Sequence, residues 1–166
     1  MSLDERIGAV VCEGIVKPEW IDFNRHMNVA YYVLAFDLGI DALWTNFGID
    51  DDYITSTNGS TFAVECHVSY LNELQEGDPY VVTSQLLGYD EKRIHQFQRL
   101  YHEEQGFLAA TAEWMNLHVN LETRRVSPWP AHILQRIEDF AESQAGKARP
   151  DGAGHRMQIR KPLYTL

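Results

Sequence analysis

The chain has 166 residues, 45% of them hydrophobic and 11% aromatic, with a formal net charge of -10 at pH 7. This length suits one domain with a sizeable core, and the aromatic content argues against disorder. The acidic balance argues against broad binding to nucleic acid or anionic membranes, because contacts to phosphate groups need basic patches.

The cysteines and the N-terminal sequence indicate a reducing compartment. Cys12 and Cys66 are far apart, and each lies in an alternating apolar run, so we expect two buried free thiols rather than a disulfide or a thiolate metal site. The N-terminus lacks a basic-then-apolar signal pattern, and no apolar stretch approaches the roughly 20 residues that span a bilayer. We therefore expect a cytoplasmic protein with no metal, no nucleic-acid partner and no membrane partner.

The first part of the chain predicts a strand, a loop and one long helix. Ile7 to Val16 is β-branched and apolar and predicts a strand, which Pro18 ends because proline cannot donate to a ladder. The polar segment from Asp22 to Asn28 predicts a loop. Ala30 to Phe47 predicts a helix, with Gly48 in the left-handed position after it. The first two turns of this helix are apolar nearly all round, so we expect other structure to wrap it.

The second part predicts four strands and a second helix. After a polar connection at 50–59, the hydrophobic period becomes two. One face of this strand is predicted to carry Phe62, Val64, Cys66, Val68 and Tyr70, and the other Ala63, Glu65, His67 and Ser69. Further strands are predicted at Tyr80 to Leu87, Arg93 to His102 and Phe107 to Val119. The spacings are too short for crossovers, so we expect antiparallel neighbours. Ala131 to Ala145 predicts an amphipathic helix, followed by a loop-like tail.

The order of elements predicts a single domain over residues 1–166, with its core at about 7–120 and the C-terminal helix and tail at 128–166. A nearly all-apolar helix needs a sheet curled around it. A sheet face of mixed polarity with many aromatic residues indicates a partner, most simply a second copy of the chain.

The segment before the long helix gathers polar side chains suited to carbonyl chemistry. Asp22, Asn24 and His26 alternate along it, and Asn28 can cap the helix. Free N–H groups and the dipole at a helix N-terminus favour negative charge, which suits a carbonyl oxygen that becomes an oxyanion. The spacing by itself is also typical of an ordinary capping and turn loop.

The stretch from Val16 to Tyr32 resembles the hotdog-fold acyl-CoA thioesterases of the 4-hydroxybenzoyl-CoA thioesterase group. Those proteins carry a loop of the form Asp-x-Asn-x-His-Val-Asn-Asn before the central helix. The resemblance covers about residues 7–120. It implies an α+β hotdog fold, in which a curved antiparallel sheet wraps a long central helix, here with an added C-terminal helix. It also implies a homodimer or a dimer of dimers.

The resemblance implies roles for individual residues. Asp22 takes the position of the catalytic carboxylate, as general base or nucleophile. In the plant acyl-carrier-protein relatives, the loop residues match Asp22, Asn24 and His26, and a later Glu could correspond to Glu65. Amides near Asn28 and Val29 would hold the oxyanion.

A closer similarity is to the thioesterase domains found beside or fused to carnitine dehydrogenase. It rests on Pro18 to Met27 and on Phe62 to His67, and it implies hydrolysis of betainyl- or carnityl-CoA. Two positions depart from the family pattern. Arg25 stands where Gly is usual, which changes the shape or the charge of the loop. Val29 stands where a second Asn is usual, which removes a side chain and keeps the backbone N–H.

Aromatic residues are candidates to line the acyl pocket and to hold a trimethylammonium group by cation–π contact. They are Trp20, Phe23, Tyr31, Tyr32 and Trp44, and helix spacing favours the core for Trp44. His67 shares a strand face with Glu65, and either residue could complete the site across a dimer interface. By alternation alone, that face is as readily a solvated surface.

Basic residues for the CoA phosphates would come from Arg25, Lys92, Arg93, Arg124 or Arg125, although ordinary surface charge is the commoner role of each. We predict an acyl-CoA thioesterase that needs no cofactor, because CoA is part of its small-molecule acyl-CoA substrate. One alternative is a hotdog enoyl-CoA hydratase, whose pattern is Asp-x-Asn-Pro-x-His. The segment from Asp22 to His26 lacks the proline and is one residue short. The other alternative is a non-catalytic protein that binds acyl-CoA or a quaternary amine.

Overall fold

A computed structural model of the chain describes residues 7–158. Both ends of the predicted domain, including the last part of the tail, lie outside this range. The elements are, in chain order, β1 (Ala9–Ile15), a 3-10 helix (Pro18–Trp20), α1 (Val29–Phe47), α2 (Asp51–Thr57), β2 (Gly59–Tyr70), β3 (Pro79–Tyr89), β4 (Arg93–His102), β5 (Leu108–Asn120), β6 (Arg125–Val126) and α3 (Ala131–Ser143).

The strands form one sheet in the order β1-β3-β4-β5-β2, with β6 paired to β5, and every pairing is antiparallel. Helix α1 packs against one face of this sheet, where the Gln98 Nε2 group donates to the carbonyl of Phe36 at 3.1 Å. Phe36 and Leu43 are fully buried there. A long helix held against a curved antiparallel sheet is the hotdog arrangement that the resemblance implies.

The predicted boundaries of α1 are confirmed, because the residues that cap both ends of the helix can be recognised in the sequence. The Asn28 side chain accepts from the Ala30 N–H at 3.0 Å, which begins the helix. Gly48 has φ 87° and ends it in the left-handed conformation. Residues 7–158 leave part of the helix uncovered, since Leu34 is 38% exposed and Leu38 is 42% exposed.

The prediction of four sequential neighbours is wrong for β2 and β3. Strand β2 pairs with β5 at the far edge of the sheet, so the connection at 71–78 crosses the end of the sheet. Leu74 fixes this connection in place. It is fully buried, its carbonyl accepts from the Met27 N–H at 2.7 Å, and its N–H donates to the Tyr32 hydroxyl at 2.9 Å. The crossing loop therefore packs against the start of α1.

The predicted faces of β2 are also wrong at its beginning, because Val64 is an extra residue in the ladder. Ala63 lies opposite Asn116, and Glu65 lies opposite Met115. A bulge of this kind moves all preceding side chains to the other face. Phe62 therefore shares a face with Glu65, not with the other predicted apolar residues.

The prediction of two buried cysteines is wrong for Cys66, which is exposed, while Cys12 is half-buried. Cys66 belongs to β2, which has a neighbouring strand on one side only within the described chain. An edge strand leaves side chains open that alternation predicts to be covered.

The C-terminal helix closes the end of α1, where Phe47 and Phe140 meet with ring centroids 5.5 Å apart. After α3, the Gln144 side chain donates to the Ser84 carbonyl at 3.1 Å and accepts from the Leu86 N–H at 2.9 Å. The Gln144 amide thus binds backbone groups of β3 in the way that a further strand of the sheet would bind them. The chain then crosses to the sheet face opposite α1, which we call the outer face. None of the helices within residues 7–158 has the length and apolar character that a bilayer span requires.

Candidate active site

The polar segment before α1 is a closed loop. Ile21 and Met27 form a bridge at its base, and the Asp22 N–H donates to the His26 carbonyl at 3.1 Å. The Arg25 N–H turns back to the Asp22 carbonyl at 3.0 Å. The backbone at Arg25 has φ 67°, in the left-handed region that favours glycine. The loop thus keeps the shape that a glycine would allow, at a strain of about 1 kcal/mol, and the arginine adds positive charge.

Asp22 is fixed by one of its two carboxylate oxygens. Its Oδ1 atom accepts from the Asn24 backbone N–H at 2.8 Å. No hydrogen bond to Oδ2 is formed by any residue of the 7–158 range. An Asx turn of this kind orients the carboxylate and leaves one oxygen available for a proton or a carbon atom.

The start of α1 leaves one backbone donor free. The Ala30 N–H donates to the Asn28 side chain, and the Tyr31 N–H donates to the Asn28 carbonyl at 2.9 Å. The Val29 N–H has no acceptor among the residues that the structure describes, and Val29 is 52% exposed. A free first-turn amide with the helix dipole behind it is suited to an oxyanion.

The His26 side chain contacts Met27 and Glu73. Its Nδ1 atom lies 3.2 Å from the Met27 carbonyl, and its Nε2 atom lies 3.9 Å from a carboxylate oxygen of Glu73. A carbonyl beside Nδ1 favours a proton there, which leaves Nε2 as the basic nitrogen. Asn24 and Phe23 lie at the loop tip, where Phe23 is 93% exposed.

A cavity of about 190 Å³ lies between this loop, the start of α1 and the end of β2. It is lined in part by His26, Val29, Tyr32, Tyr70 and Glu73. The sequence did not single out Tyr70 or Glu73 as site residues. Their sequence positions, at a strand end and in a turn cluster, gave no signal, because the crossing at 71–78 is what brings them to the loop.

Two of the aromatic residues predicted to line the acyl pocket make other contacts instead. Trp20 is buried, stacks on Tyr31 at 5.3 Å between ring centroids and has the Lys17 ammonium 5.5 Å from its ring. Trp44 packs against Trp129 at 6.1 Å near the C-terminal end of α1. Tyr32 is the predicted aromatic that reaches the cavity.

Glu65 and His67 lie on the outer face, in a different cavity from His26. That cavity, of about 430 Å³, is also lined by His95, Glu113 and His155. His95 Nε2 lies 2.6 Å from Glu113 Oε1, and the other oxygen of Glu113 accepts from the Gly154 N–H at 2.6 Å. Across residues 7–158, no three His, Cys, Asp or Glu residues gather in a way that could hold a metal ion.

The predicted phosphate-binding residues are spread over the surface. Arg25 is exposed in the loop itself. Arg93 forms an ion pair with Asp90 at 2.6 Å, and this pair lowers the pKa of the Asp90 carboxyl. The Arg124 guanidinium lies 5.1 Å from the Phe62 ring centroid.

Comparison with known proteins gives consistent matches. The model of the thioesterase-like superfamily matches residues 16–137. The chain is 39% identical over 139 residues to betainyl-CoA thioesterase of Pseudomonas aeruginosa, which covers 84% of this chain and 87% of that protein. It is 38% identical over 139 residues to L-carnitine dehydrogenase/betainyl-CoA thioesterase of Rhizobium meliloti, where the match covers 84% of this chain and 28% of that longer protein.

Solved structures show the same architecture. A Staphylococcus aureus protein solved in complex with CoA matches with a TM-score of 0.86 and 31% identity, over 93% of this chain and 98% of that one. A putative thioesterase from Pseudomonas putida matches with a TM-score of 0.82 and 30% identity, over 94% of this chain and 99% of that one.

Proposed function

The chain belongs to the thioesterase-like superfamily and is an acyl-CoA thioesterase, and we propose that its substrate is betainyl-CoA. Support for the substrate comes from the similarity to betainyl-CoA thioesterase of Pseudomonas aeruginosa, which extends over 87% of that protein. The hydratase and the non-catalytic binder, which the sequence left open, lose support because these relatives are named thioesterases. The proposed reaction uses water and needs no cofactor.

The proposed mechanism is supported by two groups of the same loop-to-helix segment, a carboxylate with one oxygen available and a free helix amide. Asn24 holds one oxygen of Asp22, and the second oxygen has no partner within the described chain. The Val29 N–H, also free, begins the adjacent helix. A general base or nucleophile and an oxyanion donor are the minimum that acyl transfer requires, and this segment carries both.

In the proposed reaction, Asp22 removes a proton from a water molecule that attacks the thioester carbonyl carbon. The carbonyl oxygen becomes an oxyanion and accepts from the Val29 N–H. The C–S bond then breaks, and CoA leaves as a thiolate that takes up a proton. Direct attack by Asp22, with later hydrolysis of the anhydride, gives the same products. Asn24 is proposed to orient the water or the thioester, and His26 to exchange a proton with the solvent or the leaving group.

We propose a dimer that forms through β2. This strand has 12 residues and lies at the edge of the sheet. Val64 is 56% exposed and Tyr70 46% exposed on it. A long edge strand with open apolar side chains is a template for pairing with another chain, and a second copy would supply one by two-fold symmetry. Light scattering should give twice the 19.1 kDa of one chain, and a mass of one chain would contradict the dimer.

Glu65 and His67 are proposed to act across this interface. Both belong to β2, and Glu65 directly follows the bulge at Val64. Within their own chain they line the outer-face cavity and not the cavity beside the loop. A role in catalysis therefore depends on the second protomer.

The test is the release of CoA, followed with a thiol reagent, from trimethylammonium, short, long and aromatic acyl-CoAs. Cys12 and the exposed Cys66 are free thiols that also react with the reagent, so a sample without substrate gives the background rate. We expect the highest kcat/KM with betainyl-CoA and a lower value with carnityl-CoA. A preference for another acyl class would contradict the proposed substrate.

A further inference from the structure

The cavity beside the loop joins the proposed oxyanion donor to two aromatic rings and a carboxylate. Val29 lines it at the start of α1, and Tyr70 lines it at the end of β2. Tyr32 and Glu73 complete this part of the wall. The cavity thus extends directly from the position where the thioester carbonyl is proposed to bind.

The rings of Tyr32 and Tyr70 are fixed in position by contacts with each other and with the backbone. Their centroids lie 5.4 Å apart with an interplanar angle of 79°. The Tyr70 hydroxyl donates to the Val29 carbonyl at 3.2 Å, and the Tyr32 hydroxyl accepts from the Leu74 N–H at 2.9 Å. Burial raises the pKa of Tyr32 and of Tyr70, so both rings carry neutral hydroxyls at pH 7. A cation is attracted to the face of a neutral aromatic ring, and Tyr70, which is 46% exposed, is the more accessible of the two rings, with the 4% exposed Tyr32 in contact with it.

Glu73 supplies the negative charge of this cavity. Its carboxylate is 71% exposed, and an oxygen lies 3.9 Å from His26 Nε2. The positive end of the α1 dipole repels a cation placed beside Val29. A carboxylate that lines the same cavity offsets that repulsion.

The chemistry of betainyl-CoA places its charge close to the reacting bond. A single methylene separates the quaternary nitrogen from the thioester carbonyl carbon. A site for the cation must therefore adjoin the oxyanion donor, which excludes aromatic residues elsewhere in the fold. Trp44 lies near the other end of α1, and Trp20 is already covered by Tyr31 and Lys17.

We propose that Tyr70, Tyr32 and Glu73 form the subsite for the trimethylammonium group. This inference rests on the proposed substrate. Under this inference, the crossing loop at 71–78 and the end of β2 select the substrate. The proposed base or nucleophile lies on a different segment of the chain.

The test compares betainyl-CoA with tert-butylacetyl-CoA, in which carbon replaces the quaternary nitrogen at nearly the same shape. The measured quantity is the ratio of the two kcat/KM values. We expect the wild type to favour betainyl-CoA, and Glu73→Gln and Tyr70→Leu each to lower the ratio about tenfold. Glu76→Gln is the matched control, because Glu76 is an exposed carboxylate of the same loop that does not line the cavity. Tyr70→Phe keeps the ring and should retain most of the preference.

The outcomes separate this inference from the proposed function. Failure of the wild type to hydrolyse any acyl-CoA would overturn the proposed function. Hydrolysis of both substrates at equal kcat/KM would overturn the cation subsite and leave the thioesterase intact. A betainyl preference that survives in both Glu73→Gln and Tyr70→Leu would show that the cation binds elsewhere, and would also overturn the subsite.

Discussion

Two groups of carboxylates and histidines lie on this chain, and they differ in how much of each carboxylate is already bound. In the loop before α1, Asn24 holds one oxygen of Asp22 and the other is free. On the outer face, both oxygens of Glu113 accept hydrogen bonds, from His95 and from Gly154. The two groups therefore differ in whether a carboxylate oxygen remains available to react.

The backbone around the two groups explains the difference. The loop lies beside a helix N-terminus with a free Val29 N–H, which favours the charge of an oxyanion. The outer-face group lies on strands, where the ladders use the backbone N–H groups. Its Glu113 binds the tail that follows α3 through the Gly154 N–H. We interpret the loop group as the reacting centre. We interpret the Glu113–His95 pair as a clasp, by which we mean a contact that holds the segment after α3 against the sheet.

The strongest test of this comparison is Asp22→Asn. The asparagine oxygen can still accept from the Asn24 N–H, so the loop should keep its shape, while the charge that activates water or attacks carbon is lost. We expect kcat for the preferred acyl-CoA to fall about 1,000-fold with an unchanged melting temperature. Asp139→Asn in α3 is the control, since its Oδ1 atom can still accept from Gln135. Near-full activity of Asp22→Asn would place the reacting centre elsewhere.

A smaller effect is expected for Glu65→Gln, which tests whether the outer face contributes through a second protomer. We expect kcat to fall about 100-fold, at the lower end of what one positioned acid–base group contributes. Mixing this variant with Asp22→Asn provides the decisive measurement. In a mixed dimer with shared sites, one site contains the native Asp22 of one chain and the native Glu65 of the other. Activity above the mean of the two variants would support sharing, and activity at that mean would refute it.

The sequence predicts best those elements whose ends are defined by residues at the ends themselves. The helix α1 begins at the Asn28 cap and ends at Gly48, and both residues act locally. The bounds of β4 agree with the predicted Arg93 to His102. The loop residues Asp22, Asn24 and His26 are predicted from a motif, and the structure shows how Asp22 is held within the loop, by the Asn24 N–H.

The sequence fails where a contact over long distance decides the structure. No local pattern shows that Leu74 will be buried under Tyr32, so the crossing at 71–78 and the position of Glu73 were missed. The bulge at Val64 was missed because alternation assumes one residue per position of the ladder. The exposure of Cys66 follows from the edge position of β2, which only the sheet order reveals.

The last prediction concerns stability on the outer face. The Glu113 side chain is 12% exposed and accepts two hydrogen bonds, so Glu113→Gln replaces one acceptor by an amide N–H that faces a donor. We expect the free energy of unfolding in urea to fall by about 2 kcal/mol, because the lost bonds involve a charged group that is nearly buried. Glu142→Gln, at an exposed position of α3, should leave it unchanged.

The same variant decides between a clasp and a catalytic group. If Glu113 only fixes the tail against the sheet, kcat per folded molecule should stay close to that of the wild type, because Glu113 does not line the cavity beside the loop. A large loss of kcat at unchanged stability would give the His95–Glu113 pair itself a direct part in the reaction. In that case the free oxygen of Asp22 would no longer distinguish the reacting centre from the clasp.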